Sequence, residues 1–196
     1  MNEQNTNLLI AKFKPMFAEM DRSQEKQRRQ SQLSSEFILA KAEDDEVKMA
    51  QIREEQKEIG AYHPIAYGFE CGDGWFQIID ECLTSILSVL GEKDIFEVTQ
   101  IKEKLGTLRI YYEYSQASGF RYQLPYKFNR LTRWYVQRFF DLVRHKIGLF
   151  SKIEMIDNQI RIANNKSSKT CEVCGKPGKL NNKGWIFAAC EEHIRK

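Results

Sequence analysis

The chain has 196 residues, of which 42% are hydrophobic and 29% charged, and its formal net charge is +3. This composition supports a packed core of one domain, or one domain with a small satellite, under a charged surface. No apolar stretch approaches the roughly 18 residues that a membrane span needs, and the first residues lack the pattern of a signal peptide. The five cysteines, an odd number, fit a reducing compartment. We therefore expect a cytoplasmic protein that does not enter membranes.

Charge is distributed unevenly along the chain. Residues 61–115 hold four Lys/Arg against nine Asp/Glu, whereas residues 116–170 hold eleven against three. This acidic segment followed by a basic one indicates charged partners, nucleic acid among them.

The first 60 residues predict a charged helical arm. Residues 7–20 contain a short amphipathic helix that Pro15 should end or kink. Residues 21–58 are rich in Gln, Glu, Lys, Arg and Ser, which fits a solvated helix or a flexible segment. The apolar residues that could form one stripe of such a helix are Phe37, Ile38, Leu39, Met49 and Ile52.

Residues 61–166 predict an α+β core domain. In "GFECGDGW" a glycine-rich turn places Asp73 at the N-cap of a helix whose apolar residues recur at helical spacing to Leu90. The stretch "DIFEVTQIKEKLGTLRIYYEYS" predicts a β-hairpin that turns near Gly106. One strand face should carry Leu108, Ile110, Tyr112 and Tyr114. The predicted fold is a helix–hairpin core with long helices and a zinc ribbon over residues 167–196.

A second long helix is predicted over residues 126–147. On its basic face Arg130, Arg133 and Arg138 flank Trp134. Guanidinium groups neutralise phosphates and an indole stacks on bases, so this face is a candidate nucleic-acid surface, with a solvated helix face as the alternative. The sequence "SKIE" from Ser151 predicts a capping box that opens a further helix.

Four residues near the end of the chain have the spacing of a metal site. Cys171 and Cys174 are separated by two residues, as are Cys190 and His193. Two such pairs complete a tetrahedral shell, and three thiolates with one imidazole suit zinc best. Four protein ligands leave no open position, so we expect one structural Zn²⁺ rather than a catalytic ion. Unligated thiols and a redox "CEVC" motif are the alternatives.

Three motifs resemble a family of small proteins from phages and prophages. They are "CGDGWFQIIDECLTSI", "QIKEKLGTLRIYYE" and "SSKTCEVCGKPGKL…GWIFAACEEH", in this order. The resemblance covers Gly72, Asp73, Gly74, Trp75, Lys102, Lys104, Gly106, Arg109 and the four predicted zinc ligands. It implies a viral or mobile-element context, in the cytosol of a host cell, and no particular activity. The chain departs from the family pattern at residues 21–60 and around residues 120–150.

Other charged residues suggest further chemistry. Lys102, Lys104 and Arg109 surround the predicted turn and could bind phosphate, and a solvated hairpin tip is the alternative. The zinc loop adds a second basic surface with Lys176, Lys179 and Lys183. The acids Glu70, Asp73, Asp80 and Glu81 suggest an acid/base site, but structural roles in and around a helix explain them more simply.

The sequence favours a non-catalytic, zinc-stabilised accessory protein that binds nucleic acid or a host nucleic-acid machine. No P-loop, dinucleotide-binding glycine pattern or nucleophile elbow is present. One alternative is a protein-interaction inhibitor of a host factor. Another is a small-nucleotide receptor or enzyme that uses Asp73, Lys102, Lys104 and Arg109.

Overall fold

The computed structural model describes residues 1–116, 120–121, 149–182, 184 and 186–194, and its fold is α+β, as the sequence predicts. The described α-helices are α1 (Glu3–Lys12), α2 (Ala18–Ala42), α3 (Glu46–Ile59), α4 (Phe76–Val89) and α5 (Leu149–Ser167). The strands are β1 (Phe69–Glu70), β2 (Asp94–Lys104), β3 (Thr107–Gln116), β4 (Phe120–Arg121), β5 (Lys179–Asn181) and β6 (Phe187–Ala189).

The larger sheet is built around the predicted hairpin. Its strand order is β1-β2-β3-β4, with β1 parallel to β2 and the other neighbours antiparallel. Leu105 and Gly106 connect β2 to β3 with φ angles of 54° and 72°. A two-residue loop with positive φ at both positions is what a type I′ hairpin turn requires. The predicted position of the turn is therefore confirmed.

The two faces of the hairpin differ as predicted. Leu108, Ile110 and Tyr114 are buried, and Tyr112 packs against the same core. In β2 the alternation is interrupted by an irregularity between Val98 and Gln100, beyond which the inward positions shift by one residue.

Helix α4 lies at the centre of the main core because its apolar stripe is wide. Ile79, Leu83 and Ile86 have no solvent exposure, and the helix packs against α5. The prediction that Asp73 caps this helix is wrong. Asp73 lies inside a 3₁₀ turn (Asp73–Trp75) that precedes α4, and its carboxylate accepts hydrogen bonds from Asn2 and Asn5 instead.

The beginning of the chain belongs to the main core. Helix α1 ends at Lys12, and Pro15 lies in a 3₁₀ turn (Lys14–Phe17), as its missing N–H and fixed φ favour. Buried residues from this region join the core cluster of α4 and the sheet: Leu9, Phe13, Met16, Phe17 and Met20. The predicted division of the chain after residues 60 and 166 stays a prediction, but the first 20 residues pack as part of this core.

Helices α2 and α3 form an antiparallel pair with a small core of its own. Leu33, Ala40 and Ile52 are buried there, and Phe37 and Met49 pack against them. Ile38 and Leu39, which the predicted stripe includes, are 68% and 61% exposed. The charged arm is thus helical, with a narrower apolar stripe than the sequence suggests.

Helix α5 leads into the C-terminal unit, which we define as the described residues from 168 to 194. It begins at Leu149, so Ser151 is inside the helix and the predicted capping box is wrong. In the described part of the chain, no helix combines the length and apolar character needed to span a membrane. The predicted helix over residues 126–147 lies outside the described residues.

Candidate metal centre

The C-terminal unit brings together the four residues that the sequence singles out. The ligand atoms of Cys171, Cys174, Cys190 and His193 all lie within 4.8 Å of one another. His193 Nδ1 is 3.5 Å from Cys171 Sγ and 3.2 Å from Cys190 Sγ. The Sγ atoms of Cys174 and Cys190 are 3.7 Å apart. Ligands of a tetrahedral ion with Zn-type bond lengths are about 3.3–3.8 Å apart, so the group could hold a metal ion, with Nδ1 as the histidine ligand.

Two short turns present these ligands. The Gly175 N–H donates to the Cys171 carbonyl oxygen at 2.9 Å, and the His193 N–H donates to that of Cys190 at 3.0 Å. Strands β5 and β6 pair between the two turns and bring the second ligand pair back to the first. The local fold is therefore a β-hairpin closed at one end by the cluster.

The cluster favours a thiolate at its most buried position. Burial alone would raise the pKa of Cys171, but hydrogen bonds from the backbone N–H groups of Cys190, Cys174 and Val173 lower this pKa to about 6. The pKa of Cys174 is raised, because the Lys176 N–H that favours its thiolate is outweighed by burial and by the neighbouring sulfurs. Thiolates in one shell repel each other as anions, and a bound cation removes that repulsion.

The other two cysteines have a different environment. Cys71 and Cys82 lie in the main core, and burial raises the pKa of each thiol to about 12. Each therefore stays protonated and acts as a small apolar side chain.

The loop of the "GDGW" motif is hydrogen-bonded to the first ligand turn of the cluster. The Gly74 N–H donates to the Glu172 carbonyl oxygen at 2.7 Å, and the Gly72 N–H donates to the Glu172 carboxylate at 2.9 Å. A Cβ atom on Gly74 would overlap the backbone of Cys171 and Gly175. Glycine is thus required here because the two backbones approach too closely for any side chain.

The hairpin turn contacts the C-terminal unit from a second side. A Cβ atom on Gly106 would overlap the side chain of Leu180 and approach the backbone of Phe187. Beside the turn, the Leu108 N–H donates to Ser167 Oγ at 2.8 Å. Two motifs of the resemblance, the "GDGW" loop and the hairpin turn, therefore each contact the third motif, which makes up most of the C-terminal unit. The sequence does not reveal this role for the first two motifs, because the contacts are long-range.

The acidic residues considered for acid/base chemistry have structural partners. Asp80 pairs with Lys12 at 2.6 Å, Glu81 pairs with Lys166 at 2.7 Å, and Glu70 accepts a hydrogen bond from Gln100. Hydrogen bonds from the Asn2 backbone and from Asn5 lower the pKa of Asp73 despite its partial burial. These contacts favour the structural roles over a catalytic one.

Three of the predicted phosphate-binding residues share the outer face of the hairpin. Lys102 lies directly opposite Arg109 across the β2–β3 pair, and Lys104 lies opposite Thr107 on the same face. The Lys102 Nζ atom is 5.1 Å from the ring centroid of Tyr111, which is 42% exposed. We call Lys102, Lys104, Arg109 and Tyr111 the basic hairpin face.

Of the remaining predicted binding residues, two are described, and both belong to the C-terminal unit. Lys176 pairs with Glu192 at 2.8 Å, and Lys179 is exposed on β5. The other candidates lie outside the described residues: Arg130, Arg133, Trp134, Arg138 and Lys183.

Comparison with protein-family models, with curated proteins and with solved structures finds no match to this chain.

Proposed function

We propose that this chain is a non-catalytic nucleic-acid-binding protein whose C-terminal unit is stabilised by one structural zinc ion. The Cys171/Cys174/Cys190/His193 group carries the zinc half of the proposal, because three thiolates and an imidazole suit Zn²⁺ better than the hard cations. Four protein ligands fill a tetrahedral shell and leave no place for a reacting water.

Metal analysis of the purified protein tests the zinc assignment. We expect one zinc per chain in the wild type and little or none in a Cys174→Ser/Cys190→Ser double variant, since a hydroxyl is a poor substitute for a thiolate. A Cys71→Ser/Cys82→Ser variant is the matched control and should keep its zinc. Iron in place of zinc would refute the identity of the ion, and full zinc content in the first variant would refute the ligands.

The basic hairpin face carries the nucleic-acid half. Three cations and one exposed aromatic ring lie on one strand pair, with Lys102 and Arg109 in register. Such a face can neutralise successive phosphates of a single strand while a base stacks on Tyr111. Glu70 of β1 lies in register with Lys102, and its negative charge disfavours phosphate on that side of the face. The nucleic-acid strand should therefore run over the β3 side of the face.

Binding of short single-stranded DNA and RNA, followed by fluorescence anisotropy, tests this half. Affinity should fall steeply between about 50 and 200 mM salt. Lys102→Gln should weaken binding to all sequences and lower the salt slope by about 0.7, the value for one lost single-strand phosphate contact. Lys57→Gln, which removes an exposed cation from α3, should change neither. Absence of binding at low salt would refute the nucleic-acid half.

The resemblance to phage and prophage proteins supports a place for this activity in an infected or lysogenic host cell. The second candidate function is inhibition of a host protein. Ile38, Leu39 and Val47 are exposed by 61% or more on the α2–α3 pair and could dock a host factor. An Ile38→Glu/Leu39→Glu variant tests this and leaves intact the first 20 residues, which the main core needs. If it loses a host partner while nucleic-acid binding persists, the inhibitor hypothesis is favoured.

A further inference from the structure

A cleft of about 500 Å³ lies between the edge of β3 and one face of α5. Its strand wall is formed by Lys104 and by residues 108–111, and its helix wall by Asp157, Ile160, Arg161 and Asn164. The four helix positions recur at the spacing of a single helical face. The volume falls within the ~300–1,000 Å³ typical of small-molecule sites. The sequence does not point to this cleft, because the helix residues acquire a common function only when α5 packs beside β3.

The charges around the cleft select for an anion. Lys104, Arg109 and Arg161 contribute three cations, and Asp157 is the one carboxylate in the described lining. Asp157 accepts a hydrogen bond from the Tyr112 hydroxyl at 2.7 Å, so one of its carboxylate oxygens already has a partner within the protein. Arg161 donates from Nη2 to Asn158 at 2.6 Å, a contact that fixes the guanidinium while its other N–H groups can reach a ligand. Paired guanidinium groups suit phosphate oxygens.

The interior of the cleft suits a flat ring with polar edges. Leu108 turns its peptide groups away from β2, since its N–H donates to Ser167 and its carbonyl accepts from Asn164. Peptide groups alternate in direction along an antiparallel strand, so the N–H and C=O of Ile110 turn the same way, toward the cleft. Ile110 and Ile160 provide apolar surface beside this donor–acceptor pair.

We propose that this cleft binds one nucleotide unit. Its phosphate contacts Arg109, Arg161 and Lys104, and its base lies on the isoleucines within reach of the Ile110 peptide groups. The unit is either a free nucleoside monophosphate or the terminal nucleotide of a strand. The cleft shares Lys104, Arg109 and Tyr111 with the basic hairpin face, so the inference deepens the proposed function and rests on it in part. A free mononucleotide can still occupy the cleft if the face binds no strand.

Titration of the ¹⁵N-labelled full chain with the four common nucleoside 5′-monophosphates, followed by NMR, tests the proposal. Each nucleotide is added up to about 5 mM, so that even the weak affinity expected of a small ligand can be measured. We expect saturable shifts of the Ile110 amide and the Asn164 side-chain amide with at least one nucleotide. Arg161→Gln should weaken this affinity about tenfold or more, as loss of a charge-assisted contact does. Lys57→Gln, which removes an exposed cation of α3 outside the cleft lining, should leave this affinity unchanged. A 5′-phosphorylated trinucleotide that competes with the mononucleotide for the same site would identify the end of a strand as a second source of the bound nucleotide.

Three outcomes would overturn the inference. They are no shift at these amides with any nucleotide, equal affinity in Arg161→Gln, and equal shifts with inorganic phosphate alone. The wild-type shift map tests the inference even if a variant fails to fold. Saturable mononucleotide shifts in a protein that binds no strand at low salt would support the cleft and refute the nucleic-acid half of the proposed function. Strand binding without these shifts would do the reverse.

Discussion

The indole Nε1 of Trp75 donates a 2.9 Å hydrogen bond to the carbonyl oxygen of Thr170, the residue before the first cysteine of the Cys3His group. Trp75 has no solvent exposure, so a core side chain of the "GDGW" loop is tied to the base of the C-terminal unit. Ala188 of that unit belongs to the same core cluster. The unit is therefore joined to the core by polar and apolar contacts at once.

This connection predicts how far the loss of metal should propagate. Chelation should increase hydrogen exchange in the C-terminal unit and also at Gly72, Gly74 and Leu108, because their partners lie at or beside the cluster. The part of the α2–α3 pair around Leu33, Ala40 and Ile52 should keep its protection, since these residues form a buried cluster of their own. Exchange that changes only in residues 168–194, or equally everywhere, would contradict the prediction.

The close approach at Gly74 predicts a strong effect of a single methyl group. Gly74→Ala should lower the free energy of unfolding by about 3 kcal/mol, since the added Cβ meets backbone that cannot move aside. Gly91→Ala is the matched control, because its Cβ would meet only side-chain ends, at 3.4 Å or more. It should change stability by less than about 0.5 kcal/mol. Denaturant unfolding measures both, and equal values for the two variants would contradict the docking geometry.

The hairpin turn predicts a stabilising substitution. Leu105 has a φ angle of 54°, where a leucine is strained, and its side chain is 56% exposed. Leu105→Asn provides the Asn-Gly pair that a type I′ turn favours and should raise the free energy of unfolding by about 1 kcal/mol. Leu39→Asn, at an exposed helical position, should instead lower it by about 0.5 kcal/mol. A loss of stability in Leu105→Asn would argue against the turn.

A buried carboxylate predicts acid sensitivity. The side chain of Asp94 is 2% exposed, and it accepts hydrogen bonds from Lys152, Tyr114 and the Gly91 N–H. Burial alone would raise the pKa of Asp94, but these donors lower it below the ordinary value. A lowered pKa in the folded state contributes stability above the unfolded pKa of about 3.9, and this contribution is lost as the pH falls through the folded value.

Asp94→Asn should therefore cost about 2 kcal/mol at neutral pH. The difference from wild type should shrink as the pH falls from the unfolded pKa of about 3.9 through the lowered folded pKa. Asp80→Asn is the matched control. It breaks a pair with Lys12, whose side chain is 51% exposed, and should cost no more than about 1 kcal/mol. Unfolding curves across this pH range check both, and a pH-independent loss in Asp94→Asn would show that packing, not charge, causes it.

The features that can be predicted correctly from the sequence depend on neighbours along the chain. The stripe of α4, the alternation of Leu108 and Ile110, and the spacing of the cysteines are all periodic or local signals. The capping prediction for Asp73 fails because its partners, Asn2 and Asn5, come from a distant part of the chain. The docking of Gly74 and the cleft beside Arg161 likewise exist only after distant elements pack together.

The number of residues that separate two contacting positions along the chain also indicates which parts of the molecule fold first. The α2–α3 pair buries Leu33 and Ile52 through contacts between adjacent helices, and such helical hairpins form within microseconds to milliseconds. The hydrogen bond from Gly72 to Glu172 joins residues 100 positions apart. We therefore expect a nascent chain to build its helical pair first. The "GDGW" loop can close on Glu172 only after that residue has left the ribosome, so its docking follows the formation of the helical pair.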